Sequence, residues 1–137
     1  MPRRKKPSAF HCPVEETLWV LGGKWKVLIL HSLMTHPVMR FNEMQRELQG
    51  VSPQMLAAQL RELEEDHILH RRVYPQVPPK VEYRLTDVGH TLKPVIVAMK
   101  KWGLAYGLKT AAVRKHPASD ETLKASQRHS AVTRSTR

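Results

Sequence analysis

Apolar positions recur every three or four residues up to about residue 66. They switch to every second residue between about 70 and 85, then return to the helical period. Residues 13–21 read as a first helix. Pro13 suits its first position, Glu15 and Glu16 suit its first turn, and Val14, Leu18 and Leu21 share a face. Gly22-Gly23 ends it. A second helix is expected over 24–35, with Trp25, Leu28, Ile29 and Leu33 as its buried stripe, closed by His36-Pro37. A short helix follows over 41–49, with Phe41, Met44 and Leu48 inward, and then a turn at Gly50-Val51. Ser52-Pro53 opens the next helix, to about Asp66, with Leu56, Leu60 and Leu63 on its inner face.

The period of two then predicts a hairpin. One strand covers 70–76. In the other, Val81, Tyr83 and Leu85 alternate with Glu82 and Arg84. Gln76-Val77-Pro78-Pro79-Lys80 forms its tip, since prolines cannot sit inside a ladder. Thr86 is expected to cap one long helix to about Thr110, with Pro94 inside it as a kink. Its face of Leu92, Val95, Ile96, Met99, Trp102 and Tyr106 is wide for a helix covering one small core. Two helices, a helix-turn-helix, a hairpin and a last helix make an α+β, mostly α, winged helix-turn-helix. Such a fold sets the helix after the turn into the major groove of DNA and the hairpin along the backbone or minor groove.

Charge agrees with a polyanionic partner. The 137 residues hold 23 Lys+Arg against 12 Asp+Glu, a net +11. Residues 1–10 carry +4 and residues 109–137 carry +5, leaving +2 for the centre. The expected organisation is therefore a basic arm (1–10), a domain (11–110) and a basic tail (111–137). The tail either binds phosphate without sequence preference or only aids solubility. One cysteine excludes an internal disulfide framework and a multi-cysteine zinc site, and fits a reducing, cytoplasmic compartment. No apolar run nears a membrane span, and Met-Pro-Arg-Arg-Lys-Lys has no apolar segment after it to suggest a secretory signal.

The residues themselves carry a resemblance. Cys12-Pro-Val-Glu, Gly22-Gly-Lys-Trp25, Arg40-Phe-Asn-Glu43, Ser52-Pro-Gln-Met-Leu56, Leu60-Arg-Glu-Leu-Glu64, Val73 through Tyr83 and Leu85-Thr-Asp-Val-Gly89 follow in order. Over about residues 11–103 this set resembles the HxlR family of winged helix-turn-helix transcriptional regulators, relatives of the MarR type. The resemblance implies a homodimer on a palindromic operator in double-stranded DNA, with the first and last helices building the dimer interface. It implies that Ser52 to Arg61 form the recognition helix and that Pro78 to Lys80 form the wing tip. It implies no enzyme, cofactor or metal. Ala57 and Ala58 depart from the polar residues many relatives carry there, so a relative's operator is not transferable.

The expected DNA-binding residues are Arg40, Ser52, Pro53, Gln54, Ala57, Ala58, Arg61, Pro78, Pro79 and Lys80. Gln54 suits adenine, Arg61 suits guanine or phosphate or an ion pair with Glu64 or Glu65, and alanine can touch a thymine methyl. Arg40 suits phosphate and Lys80 the minor groove or phosphate, while for Arg71 and Arg72 a plain solvated role weighs as much. Val14, Leu18, Met99, Trp102 and Tyr106 are the expected dimer residues; Trp102 and Tyr106 also fit a core.

Cys12, at a helix start where a thiolate is favoured but with Glu15 and Glu16 opposing, is a candidate redox sensor for oxidants or electrophiles. The eight histidines lack the companions of a metal site, and no hydrolytic or acid–base constellation stands out. The expected function is a dimeric sequence-specific regulator, a repressor, with a small molecule or electrophile as candidate effector. The alternative is a winged-helix protein-interaction or RNA-binding module with only non-specific DNA affinity.

Overall fold

The computed structural model describes residues 5–9 and 11–107. Its elements, in order, are α1 (Pro13–Leu21), α2 (Lys24–Thr35), β1 (Met39–Arg40), α3 (Phe41–Glu47), α4 (Pro53–Glu65), β2 (Leu69–Tyr74), β3 (Lys80–Leu85), α5 (Asp87–His90), α6 (Lys93–Trp102) and a π-helical turn, Gly103–Gly107. The chain divides into two units, 1–97 and 98–137, the second described only over 98–107. The expected basic tail, the end of the last helix at Thr110 and half of the arm (1–4 and 10) lie outside the described residues.

In the first unit, α2, α3 and α4 pack around one core closed by an antiparallel sheet. Leu30, Leu33, Met44, Leu56, Leu60 and Leu63 are fully buried at its centre. The sheet has the order β1-β3-β2, so the wing hairpin carries a third strand of two residues that the sequence does not announce. Met39 pairs with Tyr83 and Arg40 with Glu82 on one side of β3; Arg72 pairs with Glu82 and Tyr74 with Lys80 on the other.

Three expectations change. The buried stripe of α2 is Ile29, Leu30 and Leu33, whereas Leu28 is 37% exposed and Trp25 half-buried. The same helix buries Lys26, which a charge pattern would place in solvent. On β3 the alternation fails at Glu82, only 8% exposed.

The expected long helix after Thr86 is two helices. Pro94 has no N–H to give the His90 carbonyl, so the first helix ends before it and Pro94 falls in the opening turn of α6, where no donor is needed. Thr86 does cap: its hydroxyl accepts from Gly89 N at 3.0 Å and donates to the His67 carbonyl at 2.6 Å.

The exit from α4 sets the wing. Ile68 N donates to the Leu63 carbonyl at 2.9 Å and His67 N to Glu64 at 2.9 Å, with His67 left-handed at φ 57°. That closes the helix in a Schellman-type reversal without the usual glycine and turns the chain into β2. A Cβ on Gly89 would strike the Ile68 carbonyl, so α5 can lie this close to the strand only with glycine there.

Candidate nucleic-acid interface

The helix-turn-helix is α3, its turn and α4. Gly50 makes the turn at φ 90°, a conformation that favours glycine. Ser52 is extended and its Oγ accepts from Met55 N at 3.1 Å; Pro53 takes the first helical position. With Leu56, Leu60 and Leu63 inward, the opposite face presents Gln54 and Arg61, both exposed. Ala57 and Ala58 are half-buried, so they offer less surface than the sequence implies. Met55, which sequence reasoning passed over, is exposed beside Gln54. Arg61 has no ion-pair partner among the described residues.

Two features hold this face in place. Arg40 is the N-cap of α3, its backbone N–H donating to Glu43 Oε2 at 2.7 Å, and its side chain is exposed. Behind α4, Lys26 Nζ of α2 meets Glu62 Oε2 at 2.5 Å. The ion pair ties α4 to α2 from its inner side.

The wing tip runs Pro75 to Pro79, all exposed, with Val77 fully so. Lys80 is less available than its position suggests. Its ammonium lies 3.1 Å from Glu82 Oε1 and 4.9 Å from the centre of the Tyr74 ring, and its side chain is 28% exposed. Glu82 Oε2 accepts from Tyr74 Oη at 2.9 Å and from Arg84 at 3.4 Å. The Tyr74 hydroxyl, then Lys80, hold the Glu82 carboxyl below its ordinary range, against the opposing effect of partial burial. Sequence reasoning missed this cluster because a glutamate alternating with apolar residues reads as solvent-facing.

Cys12 is exposed at the N-cap of α1, in extended backbone. Its carbonyl accepts from Glu15 N at 3.1 Å and Glu16 N at 3.4 Å, while Glu15 Oε2 reaches back to His11 N at 2.7 Å. On the same helix Val14 and Leu18 stand out from the core, Leu18 63% exposed. In the second unit Met99, Trp102 and Tyr106 are exposed, the two rings 5.9 Å apart and tilted by 38°. Among the described residues no group of three His, Cys, Asp or Glu could hold a metal ion, and no helix is long and apolar enough to cross a membrane.

Residues 20–111 match the HxlR-like helix-turn-helix family. The chain is 54% identical over 95 residues to YdeP, an HTH-type transcriptional regulator of Bacillus subtilis, covering 69% of this chain and 73% of that protein. It is 52% identical over 97 residues to YybR of the same organism, covering 71% and 77%. Among solved structures, the redox regulator HypR in its reduced form is 48% identical with a TM-score of 0.68, over 72% of this chain and 99% of that one. The reduced form of the transcriptional regulator YodB from B. subtilis is 38% identical with a TM-score of 0.61, over 71% and 95%.

Proposed function

This chain belongs to the HxlR-like helix-turn-helix family and is a DNA-binding transcriptional regulator, and from that premise we propose that it acts as a homodimeric repressor on a palindromic operator. The observation that carries the reading is the division of α4: leucines buried behind, Gln54, Met55 and Arg61 exposed in front, and a capped N-terminus that leads the helix. A dimer sets two such helices into successive major grooves, about 34 Å apart. Gln54 and Arg61 read base edges, and Ser52, Arg40 and the wing fix the register on phosphates. The exposed apolar face of α1, at Val14 and Leu18, supports a second copy as its cover. Met99, Trp102 and Tyr106 support the same of the second unit.

The signal we propose is oxidation or alkylation of Cys12. HypR is a redox regulator whose reduced and oxidised forms are both known as structures. Here the one thiol is exposed at the start of the helix assigned to the dimer. Footprinting on DNA upstream of the protein's own gene, with excess competitor DNA, tests the regulator reading. A protected palindrome supports it; uniform weak binding that vanishes with salt and leaves no footprint replaces it with a sequence-blind module.

A further inference from the structure

Strand register sorts the wing into two faces. Met39, Leu69, Tyr83 and Leu85 are buried and define the core side. Paired residues share a face and alternate residues return to it. The outer side therefore holds Arg40 and Arg72 opposite Glu82, Arg84 two residues on, and Tyr74 paired with Lys80. Four cations surround one carboxylate.

The contacts of Arg72, Lys80 and Arg84 form a single network; Arg40 shares the face by register. Tyr74 donates to Glu82, Lys80 and Arg84 lie on the two carboxylate oxygens, and both Lys80 Nζ and Arg72 Cζ sit within 5 Å of the Tyr74 ring centre. Lys80 spends its charge inside this network. Arg72, held over an aromatic face, keeps its N–H edge for an anion, and Arg84 is about half exposed.

Resting on the reading of the protein as a DNA binder, we propose that this outer sheet face is a second docking surface for the DNA backbone. Arg72 and Arg84 are its phosphate ligands, and Tyr74 and Glu82 are the positioning pair that holds them. The net-positive face lies on the wing, the element this fold lays along the duplex, and it begins at Arg40, the N-cap of α3. Glu82 lowers the mutual repulsion of the cations and fixes their directions. Arg71 faces the other way, paired with Tyr83, and takes no part.

The test uses the full chain and a labelled random-sequence 30-bp duplex, titrated by fluorescence anisotropy from low to moderate salt. Because phosphate contacts operate on any sequence, the inference can fail while the specific-regulator reading holds, and the reverse. Each lost phosphate contact lowers the slope of log K against log salt by about 0.9. Arg72→Ala/Arg84→Ala is expected to lower it by about 1.8, and Arg71→Ala to leave it unchanged. An unchanged slope in the double variant, or a loss in Arg71→Ala instead, overturns the surface.

Charge alone predicts that Glu82→Gln tightens binding, since it removes a negative group; positioning predicts that it weakens binding several-fold. Tyr74→Phe keeps every charge and the ring, and is expected to weaken binding in the same direction with a small loss of thermal stability and the fold retained. Tighter binding by Glu82→Gln, or wild-type binding by Tyr74→Phe, overturns the positioning role.

Discussion

The Lys26 ammonium of α2 lies 2.5 Å from the Glu62 carboxylate of α4, and Lys26 is only 3% exposed. The pair sits behind α4, with the Lys26 side chain shut off from water and that of Glu62 keeping 20% of its surface. Desolvation offsets much of the attraction in such a pair, so its presence says little about net stability, while breaking it leaves an uncompensated charge. Lys26→Met is expected to lower the unfolding free energy by about 3 kcal/mol in urea titrations at fixed protein concentration. Lys26→Met/Glu62→Leu is expected to recover most of that. A double variant as unstable as the single one would show that packing, not charge, carries the site.

The cap of α4 separates stability from recognition. Ser52→Ala removes the acceptor for Met55 N and is expected to cost about 1 kcal/mol. Ser52→Asp restores an acceptor, so its stability is expected to stay near wild type. In the proposed complex the same carboxylate faces phosphate at the helix N-terminus, so DNA affinity is expected to fall at least about ten-fold. Anisotropy titrations beside thermal melts read the two effects independently. Affinity that tracks stability through all three proteins would remove Ser52 from the DNA contact.

Glu82 makes stability depend on pH in a stated direction. Its carboxyl is held below the ordinary 4.5, by the Tyr74 hydroxyl first and then Lys80. Its contribution is therefore complete above the unfolded value and is lost as pH falls through the lower folded value. The melting temperature of Glu82→Gln is expected to lie below that of wild type near neutral pH. The gap is expected to close as pH falls from about 5 toward 3. A gap that stays constant across that range would assign the loss to packing.

On α1, Leu18 is exposed one turn from Val14, and the pair forms the proposed contact with a second copy. Leu18→Glu is expected to shift sedimentation from dimer to monomer at micromolar concentration and to abolish operator binding. A dimer that survives this change places the interface elsewhere.

What could be read in the chain was local. Ser52-Pro53 and the spacing of Leu56, Leu60 and Leu63 announce α4 because cap and stripe lie within a few turns. The features that build the site depend on distant partners. Lys26 looks like a surface lysine until Glu62 is folded against it, and Glu82 looks solvent-facing until Tyr74, Lys80 and Arg84 close over it. The strand at Met39-Arg40 is too short for any periodicity to reveal. His67 takes a left-handed conformation where a glycine would have marked the reversal. Pro94 is visible in the sequence as a kink inside one helix; only the end of α5 at His90 and the restart at Lys93 show that it opens a second.

Cys12 makes the last prediction narrow, because one thiol per chain limits the products. Diamide takes two electrons and two protons from two thiols, becoming the hydrazine. The disulfide it leaves here joins the Cys12 thiols of two subunits, or joins Cys12 to a small thiol. Treatment of the reduced protein is expected to abolish operator binding in gel shifts, and excess dithiol is expected to restore it. A non-reducing gel tells the products apart: doubled mass for the intersubunit bond, a small adduct by mass spectrometry for the mixed disulfide. Cys12→Ser is expected to bind like the reduced protein and to ignore diamide. If wild type keeps its footprint while fully oxidised, the thiol carries no signal. If Cys12→Ser loses its footprint on treatment, the oxidant acts elsewhere, and the exposed methionines, Met55 on the recognition face among them, become the residues to examine.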